Sequence, residues 1–103
     1  MDDLRFTWDP AKARRNLARH GVSFEAATQA FLDPHLILIE DREDEFGEMR
    51  YHAIGFGANP QVLLNVAFAD RSTDEQEILH IISARKADDY EQRTYARQFT
   101  QGH

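Results

Sequence analysis

Cysteine is absent from the 103-residue chain, which excludes disulfides, thiolate metal sites and a thiol nucleophile, and fits a reducing compartment. Long apolar runs are absent too: Val62 to Leu64 and Val66 to Ala69 are far too short to span a bilayer. Met1-Asp2-Asp3 has none of the basic character that opens a signal peptide, so the expectation is a cytoplasmic protein without membrane association. There is no Gly-rich phosphate loop and no Gly-x-Ser-x-Gly elbow. The histidines lack the His-x-x-x-His spacing of a helical ligand pair, so neither a metal nor a cofactor is expected.

What is present is ordinary globular composition: 42% hydrophobic and 29% charged residues, with seven Phe to anchor a core. That length suits one domain over residues 1–103. The net charge of −6 argues against a polyanionic substrate, but it is unevenly spread. Of 18 acids and 12 bases, six and one lie in Glu40 to Glu48, which leaves twelve against eleven elsewhere. Overall charge therefore does not decide whether the chain meets a nucleic acid.

Leu4, Phe6 and Trp8 alternate with Arg5 and Thr7, the period of a half-buried strand. Asp9-Pro10 supplies an N-cap and a first-turn proline, and His20-Gly21 a stop, so residues 10–20 are predicted to be helical. Lys12, Arg15 and Arg19 recur on that helix as a basic stripe, with Ala13 and Leu17 expected toward the core. The stripe is either a solvated face or a surface for RNA. Ser23 can cap a second helix, with Phe24, Ala27, Thr28 and Phe31 on one face before Asp33-Pro34. Four apolar segments follow, Leu36 to Ile39, Arg50 to Phe56, Val62 to Ala69 and Ile78 to Ala84. An acidic loop, Gly57-Ala58-Asn59-Pro60 and Asp70 to Glu77 separate them, and connections this short favour antiparallel strands. Asp88 or Asp89 can cap a last helix to about Gln98, with Gln92, Tyr95, Ala96 and Phe99 inward. The fold class is α+β, in the order β-α-α-β-β-β-β-α, with a mostly antiparallel sheet packed by helices on one face.

Phe6-Thr7-Trp8-Asp9-Pro10-Ala11-Lys12, Asn16-Leu17 and His20-Gly21-Val22-Ser23-Phe24 resemble the opening of the BrnT toxin family. Arg50, Ile54-Gly55, and Ile81-Ile82-Ser83-Ala84-Arg85-Lys86-Ala87 with Glu91, Arg93 and Tyr95 resemble its second half, in the same order. The resemblance covers about residues 6 to 96. It implies a RelE-like fold and a type II toxin–antitoxin ribonuclease that cleaves RNA and inhibits translation. It also implies a cognate ribbon-helix-helix, BrnA-like antitoxin that neutralises the toxin and represses their operon, so that operator DNA is met only through the antitoxin. The chain departs from the family at Asp88-Asp89-Tyr90, where Thr and basic residues are usual, and at His80, where Arg is usual.

Cleaving RNA without a metal requires activation of a ribose 2′-hydroxyl, stabilisation of a phosphorane-like transition state and a proton for the leaving oxygen. Arg85 follows strand residues and carries a planar fork matched to phosphate oxygens, so it is the first candidate for transition-state stabilisation. Lys86, opposite by strand alternation, can contact a neighbouring phosphate. Ion pairing of these cations with Asp88, Asp89 or Glu91 is the alternative. Arg50 and His52 share a strand face, and an imidazole there can act as general base or acid, or serve as a packed residue. Glu91, Arg93 and Tyr95 can position RNA or hold the last helix on the sheet, and His20 is better read as part of a helix terminus than as a catalyst. Because acids flank Arg85, a catalytically weak antitoxin-binding module acting in operon co-repression is the second expectation.

Overall fold

A computed structural model describes residues 4–100. Strand β1 (Leu4–Thr7) leads into α1 (Pro10–His20), whose ends are built as the sequence predicts. Asp9 Oδ1 accepts from the Ala11 amide at 2.8 Å, Pro10 occupies the first turn, and Gly21, at φ 72°, returns its N–H to Leu17. The short helix α2 (Phe24–Thr28) is capped by Ser23 Oγ and tightens into a 3-10 turn, Gln29–Leu32. Strands β2 (Ile37–Glu43), β3 (Met49–Phe56), β4 (Leu63–Asp70) and β5 (Glu77–Lys86) precede α3 (Asp89–Ala96) and a final 3-10 turn, Arg97–Phe99.

The strands form one sheet in the order β1-β5-β4-β3-β2. All neighbours are antiparallel except β1 and β5, which run parallel from Leu4↔Glu77 to Thr7↔His80. Side chains alternate across the sheet, and this divides the core in two. Ala53, Leu64, Val66, Phe68, Leu79, Ile81 and Ala84 pack with Val22, Phe24, Ala27 and Ala30 beneath α1 and α2. Ile54 and Leu63 point the other way, against Ala87 and Tyr95 of the α3 region. Helices therefore cover both faces, unlike the one-face arrangement expected, and α3 covers only one end of its face.

One polar contact fixes α1 to the sheet. Pairing with β1 stops at His80, so the outer edge of β5 would be left without partners further along. There the buried Asn16 carboxamide takes the place of a strand: its Nδ2 donates to Ala84 O at 2.8 Å and to Val22 O at 2.9 Å, and Ala84 N donates to its Oδ1 at 3.1 Å. The rotation that aims Asn16 inward turns Leu17 outward, so Leu17 is 51% exposed instead of packed in the core.

The acidic segment is also placed differently from expectation. Instead of a loop across Glu40 to Glu48, β2 continues through Glu43 on a bulge, pairing Glu40 with Tyr51 and Glu43 with Met49. Only residues 44–48 turn. Asp44 Oδ1 accepts from the Phe46 and Glu48 amides, both at 2.9 Å, and Gly47 takes φ 83°. Acids along an outer strand discourage edge-to-edge pairing, so charge that read as loop suits an edge.

Candidate active site

The sheet face that α3 leaves partly open carries Arg50 and His52 on β3, Asn65 on β4 and Arg85 on β5, with Arg85 register-paired to Asn65. Glu91, in the first turn of α3, is the hub. Its Oε1 accepts from Arg85 Nη1 and from the Asp88 amide, each at 2.9 Å. Its Oε2 accepts from Arg85 Nη2 at 2.8 Å and Asn65 Nδ2 at 2.7 Å. Asp88 returns a bond to the Glu91 amide, which completes a capping box. The two-pronged bond from Arg85 outweighs desolvation and, with the Asp88 and Asn65 bonds, holds the Glu91 carboxyl down at about 2. Glu91 in turn raises the Arg85 guanidinium above its ordinary value.

The chain of contacts continues across the sheet. Asn65 Oδ1 lies 2.7 Å from His52 Nδ1, and His52 Nε2 lies 3.2 Å from Asp41 Oδ2 on β2. Arg50, two residues before His52 on the same face, is bonded through Nε at 3.3 Å and Nη2 at 2.9 Å to Asp44 Oδ2. Asp41, Arg42, Asp44, Glu45, Arg50 and His52 rim a pocket floored by Ala67 and Ile82. Ile82 reaches this side because β5 bulges opposite the Ala67–Phe68 step.

Arg85, Arg50, His52 and Glu91, drawn from three separate sequence segments, thus meet on one face. Lys86 lies at the end of β5 with its side chain to the opposite side, pairing with Leu64. Lys12, Arg15 and Arg19 are exposed on α1, over the face of Ala84, so the sheet stands between that stripe and Arg85. Arg93 is exposed in the last turn of α3. Tyr95 is placed as a core residue, not an RNA contact: it is 6% exposed, it meets Phe56 edge-on, and its hydroxyl donates to Asp33 at 2.6 Å. Burial, then the Asp33 bond, pushes that hydroxyl up to about 12. Gln92 and Ala96, expected inward, are exposed because α3 meets the sheet chiefly through Tyr95.

Sequence reading missed Asn65, Asp41 and Asp44. The signal for Asn65 was a single carboxamide inside the apolar run Val62 to Ala69; the acids had none, since only folding selects two from six. Asp88, whose acidity counted against phosphate binding, has the local task of starting α3. His80 is half-buried with Nδ1 2.8 Å from Thr7 Oγ1, and burial, followed by Arg71, pushes it below its ordinary value. Among the described residues no group of three or more His, Asp or Glu is arranged to hold a metal ion, and no helix is long and apolar enough to cross a membrane.

The structure is thus an α+β domain with a five-strand sheet, one face of which gathers a guanidinium, an imidazole and carboxylates. The chain belongs to the BrnT family: the family model described as the ribonuclease toxin, BrnT, of type II toxin-antitoxin systems matches residues 8–91. No curated protein matches the chain.

Proposed function

We propose that this face is the catalytic surface of a metal-independent endoribonuclease, with Arg85 as the group that stabilises the phosphate. The observation that carries this reading is how Arg85 is held. Glu91 bonds both terminal nitrogens from the end, and Nη1 also donates to Lys86 O at 3.1 Å. The Nε–H and the adjacent Nη2–H, the side edge of the fork, have no hydrogen-bond partner among the described residues, and the side chain is 39% exposed. That edge matches two phosphate oxygens, and Glu91 keeps it oriented before RNA arrives.

In this reading a base on the same face removes the proton of a ribose 2′-hydroxyl. The 2′-oxygen forms a bond to phosphorus, the bond from phosphorus to the 5′-oxygen breaks, and that oxygen takes a proton from water, leaving a cyclic phosphate and a free 5′-hydroxyl. Arg85 offsets the charge gained by the phosphoryl oxygens, His52 is the base, and Arg50 and Arg93 contact flanking phosphates. Cleavage of messenger RNA then inhibits translation in the cytoplasm, and a ribbon-helix-helix antitoxin neutralises the toxin by covering the face.

A second reading has its own observation. Three arginines on or beside this face have carboxylate partners, Arg50 with Asp44 at 2.9 Å, Arg71 with Glu48 at 2.8 Å and Arg85 with Glu91 at 2.8 Å, and the His52 ring lies 3.2 Å from Asp41. A face so neutralised captures RNA weakly, and favours a module that binds antitoxin and co-represses the operon. Expression of the chain alone in bacteria separates the two. Growth arrest that Arg85→Ala abolishes, with RNA cleavage unaffected by EDTA, supports the ribonuclease; harmless expression together with tight antitoxin binding overturns it.

A further inference from the structure

Asn65 and Asn16 are the buried polar residues of the described chain, and Asn65 is 5% exposed in the middle of a strand. Asn16 is accounted for by the unpaired edge of β5. Asn65 has no such backbone duty: both of its side-chain groups are spent on other side chains. A buried carboxamide is costly to desolvate unless every polar atom is matched, and an apolar side chain would suit the run from Leu63 to Phe68 better. Its partners explain why it is there.

The Glu91 carboxylate, ionised by its pairing with Arg85, only accepts hydrogen bonds, so the Asn65 atom 2.7 Å from it must be the donor, Nδ2. The amide orientation follows, and it puts the acceptor Oδ1 2.7 Å from His52 Nδ1. With Nδ2 committed to Glu91, Oδ1 can only accept, so this short, part-buried contact places hydrogen on Nδ1; the competing acceptor, Asp41 Oδ2, stands farther off, 3.2 Å from Nε2, on an exposed side chain. The remaining nitrogen, Nε2, is where the proton comes and goes. It faces the pocket rimmed by Asp41 of β2 and Arg50 of β3 and floored by Ala67 of β4 and Ile82 of β5, while Glu91 of α3 acts on the ring only through Asn65.

From this geometry we infer that Asn65 is a positioning residue that locks His52 in the Nδ1–H tautomer, so that Nε2 is the atom that takes the proton of the ribose 2′-hydroxyl. A free histidine side chain in water favours the opposite tautomer, with hydrogen on Nε2, which offers no lone pair there. Asn65 thus selects the form that can act as a base, and it couples that choice to the Glu91 carboxylate that orients Arg85. Once Nε2 is protonated, the Asp41 carboxylate 3.2 Å away accepts its hydrogen. The catalytic role of His52 rests on the ribonuclease reading above; the tautomer does not.

The test is a long-range proton–nitrogen correlation spectrum of the full chain, made by cell-free synthesis with ¹⁵N-histidine, at a pH where the ring is neutral. His52→Gln identifies the resonances. The expected result is a protonated Nδ1 and an unprotonated Nε2 at His52, and a shift toward the Nε2–H form in Asn65→Leu. A wild-type His52 in the Nε2–H form, or an unchanged tautomer in Asn65→Leu, overturns the inference; the wild-type spectrum decides alone if the leucine variant does not fold. In RNA cleavage, Asn65→Leu should lower kcat on the order of 10²-fold with KM little changed. No cleavage by the wild type would remove the ribonuclease reading while the spectrum still decides the tautomer.

Discussion

Glu91 grips the Arg85 guanidinium with both carboxylate oxygens, at 2.9 and 2.8 Å, and does so from the first turn of a helix that its own side chain helps to cap. One residue therefore starts α3, neutralises one end of the arginine fork and leaves the other edge open. Local structure and site chemistry are joined at a single carboxylate.

The same carboxylate sets an acid limit on folding. Its value of about 2 lies below that of an unfolded glutamate, so the unfolded chain binds the proton first as pH falls. The stability it contributes is fully present above about pH 4.5 and is lost as pH drops toward 2. Urea unfolding of the wild type and Glu91→Gln across this range should show a shallower loss in the variant. Equal slopes would contradict the assignment.

His80 acts in the opposite pH region. Burial beside Thr7 and Arg71 favours its neutral form, so its folded value lies below the unfolded one near 6.5. Protonation is then harder in the folded state, and stability falls as pH drops through about 6.5 toward the folded value. His80→Gln should flatten thermal stability between about pH 7 and pH 5; a variant that keeps the wild-type slope counts against it.

Asn16→Ala removes the carboxamide that satisfies Ala84 and Val22. Each buried backbone group left unmatched costs about 1–3 kcal/mol, so urea unfolding should show a loss of at least about 2 kcal/mol. The capping change Asp9→Ala should cost about 1 kcal/mol. Comparable losses for both would mean that Asn16 is not the anchor of α1.

Gly55 belongs to a close approach, not to an unusual backbone angle. A Cβ at this position would sit 2.9 Å from Leu36 Cδ1 and 3.0 Å from the Ala30 carbonyl oxygen, where the backbone has little room to yield. Gly55→Ala should destabilise by about 1–3 kcal/mol, read as a lowered urea midpoint with an unchanged slope. Gly21→Ala meets no neighbour, but φ 72° makes it cost about 1 kcal/mol.

Much of this architecture was legible residue by residue because its signals are local. Asp9-Pro10 and Gly21 bound α1 at the predicted residues, Ser23 caps α2, and the apolar segments became strands, since capping and side-chain alternation act over a few neighbours. Where competition came from afar, the reading slipped. Leu17 lost the inward position to Asn16 because β5 needed a hydrogen-bonding partner, and the acids of residues 40–43 became strand because β3 offered a ladder. Of the residues that share the open face, Arg50 and His52 were placed together by strand parity and Arg85 and Glu91 were singled out by the family resemblance, whereas Asn65 and Asp41 gave no such signal.

By itself, then, the sequence determined the element order, the helix ends and the family, all of which depend on spacing along the chain and are reported by a match over residues 8–91. Tertiary structure alone decided that α3 lies across the sheet from α1, that Tyr95 is core, and that Asp41, His52, Asn65, Glu91 and Arg85 form one line of hydrogen bonds. The physical reason is range: a cap or a strand period is fixed by atoms a few residues away. The line from Asp41 to Arg85 depends instead on the register of four strands and the docking of one helix, which no single segment encodes.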